Sequence, residues 1–557
     1  MKTVFLALSL GACTSGGGKG SPPTDSGDDS GLTHDSGPVD DTGAGTECGD
    51  DIPLESGLAR TTLGVLEGTQ VGGGWAYLGV RFGASPTGSE RFLPPSPPTC
   101  SEELVQASTF GPACLHQDVQ SDAQDIIGEE DCLMLNVWTP DDPADSLAAE
   151  RAVLVFNHGG GHVAGSAVEG SDEYRLYDGA ALAAELGVVV VTIQYRLGAL
   201  GWLAHPALDA EQGTSGNLGL LDQRLAMQWV AENVASFGGD PDHVMLFGES
   251  AGAVDSCIHL ASPDSAGLFS AVLMQSGGCG VTPYTEALAE GVAHVDDTSC
   301  AEASDVPSCL RDLPASELAA LSQDPFDGGA VVGGGFGPVL DGERIAERPL
   351  TVLSSGRGNT VPVVLGSNSD ETGRQVPLVF GEALYEATVR ALVGADADAV
   401  LAVYDPDTMG SARQAWIQLS TDVQFTCPTR IMARALRDAH PAPAWRYMFS
   451  KAPDGVSGSL YGAFHGLELA YVFQHVDAVA EATGYTPSDE DRAVEQAMGA
   501  SWVAFARSGD PDADSLPEPW PAYGQTEPTF EFGQTLGVTE GLRDDRCDLL
   551  ESVLLGT

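Results

Sequence analysis

From about residue 58 the chain alternates short apolar runs with longer segments of helical spacing. Val153-Leu154-Val155-Phe156, Val188-Val189-Val190-Val191 and Val244-Met245-Leu246-Phe247 are continuously apolar, as are Ala271-Val272-Leu273-Met274 and Val363-Val364-Leu365. Runs of this length with no polar interruption predict strands buried on both faces, as in a parallel sheet covered by helices. Between them, Leu221 to Val234 carries helical periodicity and stops near Gly238-Gly239. Strand–helix alternation predicts an α/β fold with a mostly parallel central sheet. No linker and no internal repeat interrupts the chain after residue 58. One large domain with insertions is therefore expected, although 557 residues exceed the ~250–300 at which a single core usually stops growing.

The first fifty residues have another texture. Met1-Lys2 gives a basic start, Val4 to Leu10 a short apolar run, and Leu10-Gly11-Ala12-Cys13 a set of small residues before a cysteine. This pattern reads as an export signal over residues 1–12. It also resembles the bacterial lipoprotein lipobox, which implies that Cys13 becomes the lipidated first residue of the mature chain. Residues 14–47 are rich in Gly, Ser, Asp, Thr and Pro, with a loose repeat of Asp25-Ser26-Gly27, Asp29-Ser30-Gly31, Asp35-Ser36-Gly37 and Asp41-Thr42-Gly43. So little apolar surface cannot offset the entropy of ordering. Residues 13–50 are therefore expected to be a disordered tether of roughly 30–35 Å root-mean-square span, and residues 51–557 the globular domain. No apolar run reaches the ~18 residues a spanning helix needs. The expected membrane link is thus the lipid at Cys13 alone, with the domain held at the cell envelope, or secreted if Cys13 is not lipidated.

Charge and cysteine content narrow the function classes. Eighty acidic residues face 25 basic ones, a net charge of −55. Such a surface repels phosphate backbones and excludes nucleic-acid binding. It favours neutral or cationic ligands, and it also serves solubility in a saline medium. Setting Cys13 aside from the eleven cysteines leaves an even number, compatible with disulfides in an oxidising compartment.

The chemistry is concentrated in four stretches. Gly248-Glu249-Ser250-Ala251-Gly252 follows a predicted strand. This is the nucleophile-elbow pattern, in which small neighbours allow a turn sharp enough to expose the serine hydroxyl at a helix N-terminus. His158-Gly159-Gly160-Gly161 follows another strand, and its glycines let backbone N–H groups approach a ligand closely. Gly160, Gly161 and Ala251 are the candidate oxyanion donors. A serine needs a base. Of the histidines beyond Ser250, His465 sits in a glycine-bracketed loop, Gly462-Ala463-Phe464-His465-Gly466, whereas His440 lies beside Pro441 in a polar, surface-like stretch. An acid is expected just after a strand, where Asp370 and Glu371 follow Val363-Val364-Leu365. Spacing does not separate these two. No metal or cofactor is required; the expected partner is a small-molecule ester.

Further stretches carry a resemblance to the type-B carboxylesterase/cholinesterase family of α/β-hydrolases. They include Tyr77-Leu78-Gly79-Val80-Arg81-Phe82, Arg91-Phe92-Leu93-Pro94-Pro95, Glu130-Asp131-Cys132-Leu133, Gln194-Tyr195-Arg196-Leu197-Gly198, Phe237-Gly238-Gly239-Asp240-Pro241 and Gly509-Asp510-Pro511. The resemblance runs from about Leu63 to the C-terminus. It implies an α/β-hydrolase fold with insertions forming a gorge, and a serine esterase working through an acyl-enzyme. It assigns Glu371 as the acid and His465 as the base, with Glu249, Ser276 and Glu468 in support. It pairs Cys114 with Cys132, Cys300 with Cys309 and Cys427 with Cys547; Cys48, Cys100, Cys257 and Cys279 remain, as Cys48–Cys100 and Cys257–Cys279. The chain departs from the pattern in Thr372, in His162 where an aromatic is usual, a residue expected to line the pocket, and in Arg81. The stretch between Cys114 and Cys132 has no tryptophan, which disfavours a cholinesterase. The same family contains adhesion proteins that lack the serine; Ser250 speaks against that alternative. Lactones, carbamates and long-chain lipid esters are the competing substrates.

Overall fold

Each apolar run has two faces to cover, and the chain covers them by assembling one sheet between helical layers. The computed structural model describes residues 48–555 except 50, 119–124, 147–148, 171–174, 323–334 and 484. The expected signal, Cys13 and most of the expected tether lie outside the described residues.

Eleven strands form the main sheet among the described residues. They are β1 (Thr69–Val71), β2 (Gly74–Arg81), β3 (Met134–Thr139), β4 (Arg151–Asn157), β5 (Val189–Ile193) and β6 (Gly239–Glu249). Then follow β7 (Ala271–Gln275), β8 (Val363–Asn368), β9 (Ala444–Phe449), β10 (Pro528–Phe532) and β11 (Gly537–Glu540). Their spatial order is β11-β10-β9-β8-β7-β6-β4-β5-β3-β2-β1. The seven strands from β10 to β5 run parallel. The pairs at both edges are antiparallel. The expected mostly parallel sheet is therefore the centre of a mixed one, and every run expected to be a strand lies in it.

Alternation along the strands divides the core in two. Val153, Val155, Val244, Leu246, Val272 and Met274 point into one cluster. Leu154, Phe156, Met245, Phe247 and Leu273 point into the other. Helices α1 (Leu218–Asn233) and α2 (Ala251–Ala261) cover the first face with Met227, Val230 and Ile258. Helix α3 (Asp489–Ser508) covers the second with Met498, Trp502 and Phe505. Its start is fixed by a capping box between Ser488 and Asp491, and its end by Gly509 at φ 72°. Helix α1 begins three residues earlier than its apolar spacing predicts, because Asn217 takes a left-handed conformation and turns the chain into it. A third, smaller core fills the insertion between β8 and β9 with Val376, Tyr385, Trp416 and Leu419.

The structure contains five disulfides, Cys48–Cys100, Cys114–Cys132, Cys257–Cys279, Cys300–Cys309 and Cys427–Cys547. These are the pairings the resemblance implied and the two that remained. Cys427–Cys547 joins residues 120 positions apart and ties the small insertion core to the C-terminal helix. No helix among the described residues is long and apolar enough to cross a membrane.

Candidate active site

Ser250 follows β6 directly and precedes the first residue of α2. The turn between them has no room for side chains. A Cβ on Gly252 would strike the carbonyl of Asn157, and one on Gly248 would strike the backbone of Gly252. Ser250 itself is held at φ 55°, ψ −119°, a conformation rare for a residue with a side chain. Its N–H donates to the carbonyl of Gln275 at 2.9 Å, and its carbonyl accepts the N–H groups of Ala253 and Val254, both at 3.1 Å. Strand and helix thus clamp the strained residue from either side.

Glu371 lies three residues beyond β8, and His465 lies in the long connection after β9. The strands are parallel neighbours, so both loops leave the same edge of the sheet. Oε2 of Glu371 is 2.7 Å from Nδ1 of His465, and Oε1 accepts the N–H of Asn368 at 2.8 Å. The backbone N–H of His465 also donates to the carbonyl of Glu371 at 3.0 Å. Asp370, which spacing leaves equivalent, is engaged elsewhere. It accepts from Gln414 at 2.8 Å, Gln418 at 2.9 Å and Ser369 at 2.6 Å.

Nε2 of His465 is 3.2 Å from Oε1 of Glu249, the residue before Ser250, so the second ring nitrogen turns toward the elbow. The ring packs 5.0 Å from that of Phe425, which stands in a π-helical turn, Asp422–Thr426. The glycine loop after β4 completes the constellation. Gly160 and Gly161 have φ 107° and 63°, and the loop closes through N–H groups of Val163 and Ala164 on the carbonyl of Gly160. A Cβ on Gly159 would lie 3.0 Å from that of Ser250, so this loop runs against the serine. Ala251, as first residue of α2, has an N–H without an intrahelical partner. Ser250 is thus approached by Gly159 on one side and followed directly by Ala251 on the other.

Glu249 and Glu468 stand beside His465. Glu468 accepts from Gln275 at 3.1 Å and Asn368 at 2.5 Å, and Trp502 on α3 donates to Gln275 at 3.1 Å. Burial pushes Glu249 up to about 8, with His465 opposing and Glu468 and Glu371 adding to the rise. Burial and the nearby Glu371 carry Glu468 up to about 7. Burial by itself lowers the imidazole of His465, but the carboxylates of Glu249 and Glu371 outweigh it and raise the group to about 10. Burial first, and the neighbouring carboxylates second, hold Glu249 and Glu468 above the ordinary carboxylate range. Ser276, for which the resemblance implied a supporting role, adopts φ 54°, and its hydroxyl finds no hydrogen-bond partner among the described residues.

Other residues take places that spacing does not reveal. His162 does not present a free ring to a pocket. It is buried, with Nε2 2.9 Å from Oδ1 of Asp255 and its edge against Trp202. Asp255 accepts in turn from Gln223, which lies 3.0 Å from Nε2 of His259. This buried chain stiffens the base of the glycine loop. His440 is buried too, with Nε2 2.9 Å from the carbonyl of Val361, so its polar neighbours misrepresent its position. Asn368, Gln275 and Trp502 also went unmarked, since three distant segments create their network. The cluster with metal-ligand character among the described residues is Cys48, Cys100 and Glu102, but both cysteines are bonded to each other.

The chain is similar to known esterases in sequence and in fold. The family model described as "Carboxylesterase family" matches residues 55–550. A para-nitrobenzyl esterase of Bacillus subtilis is 31% identical over 84% of this chain and 92% of its own length. A fumonisin B1 esterase of Sphingopyxis macrogoltabida is 34% identical over 87% of this chain and 88% of its own. The solved structure of a Geobacillus stearothermophilus carboxylesterase superposes with a TM-score of 0.74 at 29% identity, covering 88% of this chain and 99% of that one.

The different partners of Asp370 and Glu371 generate a test. Glu371→Gln should lower kcat by about 10³–10⁴-fold through loss of the imidazole's orienting anion. Asp370→Asn should cost less than about tenfold, because Gln414 and Gln418 still face it. Steady-state kinetics on a chromogenic ester compares the two.

Proposed function

The chain belongs to the carboxylesterase family and hydrolyses carboxylic esters, and from that premise we propose that it does so through an acyl-enzyme on Ser250. The observation that carries this reading is the 2.7 Å contact of His465 with Glu371 beside a serine held in a strained elbow. His465 takes the proton of the Ser250 hydroxyl as its oxygen attacks the ester carbonyl. Glu371 accepts from Nδ1–H, holds the ring and stabilises its cation. N–H groups of Gly160, Gly161 and Ala251 receive the oxyanion, and losing one such donor typically costs about 10²–10³ in rate. The tetrahedral intermediate collapses, the C–O bond to the alcohol breaks, and His465 returns the proton to the leaving alkoxide. Water, deprotonated by the same imidazole, then attacks the acyl-enzyme, and Ser250 leaves with its proton restored.

The three carboxylates near His465 support a division of labour. Glu371 alone is hydrogen-bonded to Nδ1 of His465, while burial pushes the carboxyl groups of Glu249 and Glu468 up from their ordinary range. Replacing the serine tests the scheme. Ser250→Ala should reduce turnover by about 10³-fold or more while leaving the circular dichroism spectrum and thermal midpoint near those of the parent. Retained turnover would reassign the nucleophile.

We further propose that the protein is exported and tethered by lipid at Cys13, on the basis of the small residues before that cysteine and the Gly/Ser/Asp-rich stretch behind it. Cys13→Ser should move the protein from the membrane to the soluble fraction on fractionation of the producing cells. A variant that still sediments with membranes would remove the lipid anchor from the account.

A further inference from the structure

With 80 acidic residues against 25 basic ones, an arginine in this chain has carboxylates to spare. Arg81, Arg91, Arg196 and Arg224 each hold one, and Arg430 holds three. Arg374 is exposed and forms no ion pair among the described residues. Instead its guanidinium lies over the ring of Phe464, 5.2 Å from the centroid. Arg374 is three positions past Glu371, and Phe464 immediately precedes His465. The unpaired cation therefore spans the two loops that carry the acid and the base.

The backbone beneath it is fixed. Arg413 donates through Nη2 to the carbonyls of Gly373 at 2.5 Å and Val376 at 3.0 Å, and through Nη1 to Leu460 at 2.5 Å. The two nearest carboxylates in sequence are both committed, Glu371 to His465 and Asp370 to Ser369, Gln414 and Gln418. A guanidinium stacked on an aromatic face keeps its in-plane N–H edge open, and that fork matches a carboxylate in bidentate fashion. In a protein whose overall field repels anions, a cation without an ion-pair partner on the loops that carry Glu371 and His465 acts locally.

We infer that Arg374 is a specificity-determining residue that recognises esters bearing a free carboxylate, such as the hemiesters of dicarboxylic acids. The reacting ester sits at Ser250, and the distal carboxylate reaches back to the guanidinium over Phe464. This rests on the reading of Ser250, His465 and Glu371 as the reacting centre.

The test compares mono-p-nitrophenyl glutarate with p-nitrophenyl valerate, two acyl chains of equal length that differ in the terminal charge. The readout is the ratio of kcat/KM for the charged ester over the neutral one, in the full chain and in Arg374→Gln and Arg374→Lys. The ratio is expected to fall about tenfold or more in Arg374→Gln and to be partly retained in Arg374→Lys, which keeps the charge but loses the fork. A ratio that moves less than about twofold, or two esters that decline together, would overturn the subsite and leave Arg374 a structural residue. So would a parent enzyme that cleaves the valerate ester and ignores the glutarate. If the parent cleaves neither ester and a serine-directed organophosphate leaves Ser250 unlabelled, the reacting centre itself is wrong and the subsite falls with it.

Discussion

The contact between Nδ1 of His465 and Oε2 of Glu371 joins two loops that leave neighbouring parallel strands at the same edge of the sheet. The parallel arrangement makes it possible, because successive strands in a parallel sheet deliver their carboxyl ends side by side. Ser250 comes from the same edge, at the end of β6, and the glycine loop from the end of β4, which pairs with it. Four segments separated by up to about three hundred residues thereby leave the sheet at one edge. The register of the sheet fixes their spacing, and their side chains then need only local adjustment.

Local adjustment has a cost. A residue held as Ser250 is, at φ 55° and ψ −119°, gives up about 1–3 kcal/mol. Burying one large aliphatic side chain contributes a similar amount, and the strands leading into the elbow bury many, among them Val244, Met245, Leu246 and Phe247. The strain is therefore affordable on packing grounds alone. Charge is the harder constraint. Glu249, Glu371 and Glu468 surround one imidazole in a buried space, and burial favours the protonated form of Glu249 and Glu468. Gln275 and Asn368 supply the hydrogen bonds that let Glu468 remain there, and Trp502 holds Gln275 in place.

Features set by local spacing were legible in the sequence. The apolar runs announced the strands of the sheet, and the glycines at 248, 252 and 159–161 announced turns that only glycine fits. Features set by distant packing were not. Asp370 and Glu371 are adjacent and chemically alike; what separates them is the insertion helix carrying Gln414 and Gln418, which captures the first and leaves the second to His465. Polar neighbours placed His440 at the surface, yet the segment around Val361 covers it. His162 resembled a pocket residue until Asp255, ninety-three positions on, proved to hold it. Arg374 carries no local mark at all, since its setting depends on Phe464 from another loop.

The central claim is that one serine, activated in this setting, carries the chemistry. It is tested most directly by treating the full chain with a serine-directed organophosphate while following hydrolysis of a short-chain p-nitrophenyl ester, then mapping the adduct by mass spectrometry. The account predicts loss of turnover in step with a single adduct on the peptide containing Gly248 to Gly252, at Ser250. Loss of turnover with the adduct on another serine, or full labelling of Ser250 with turnover intact, would contradict it.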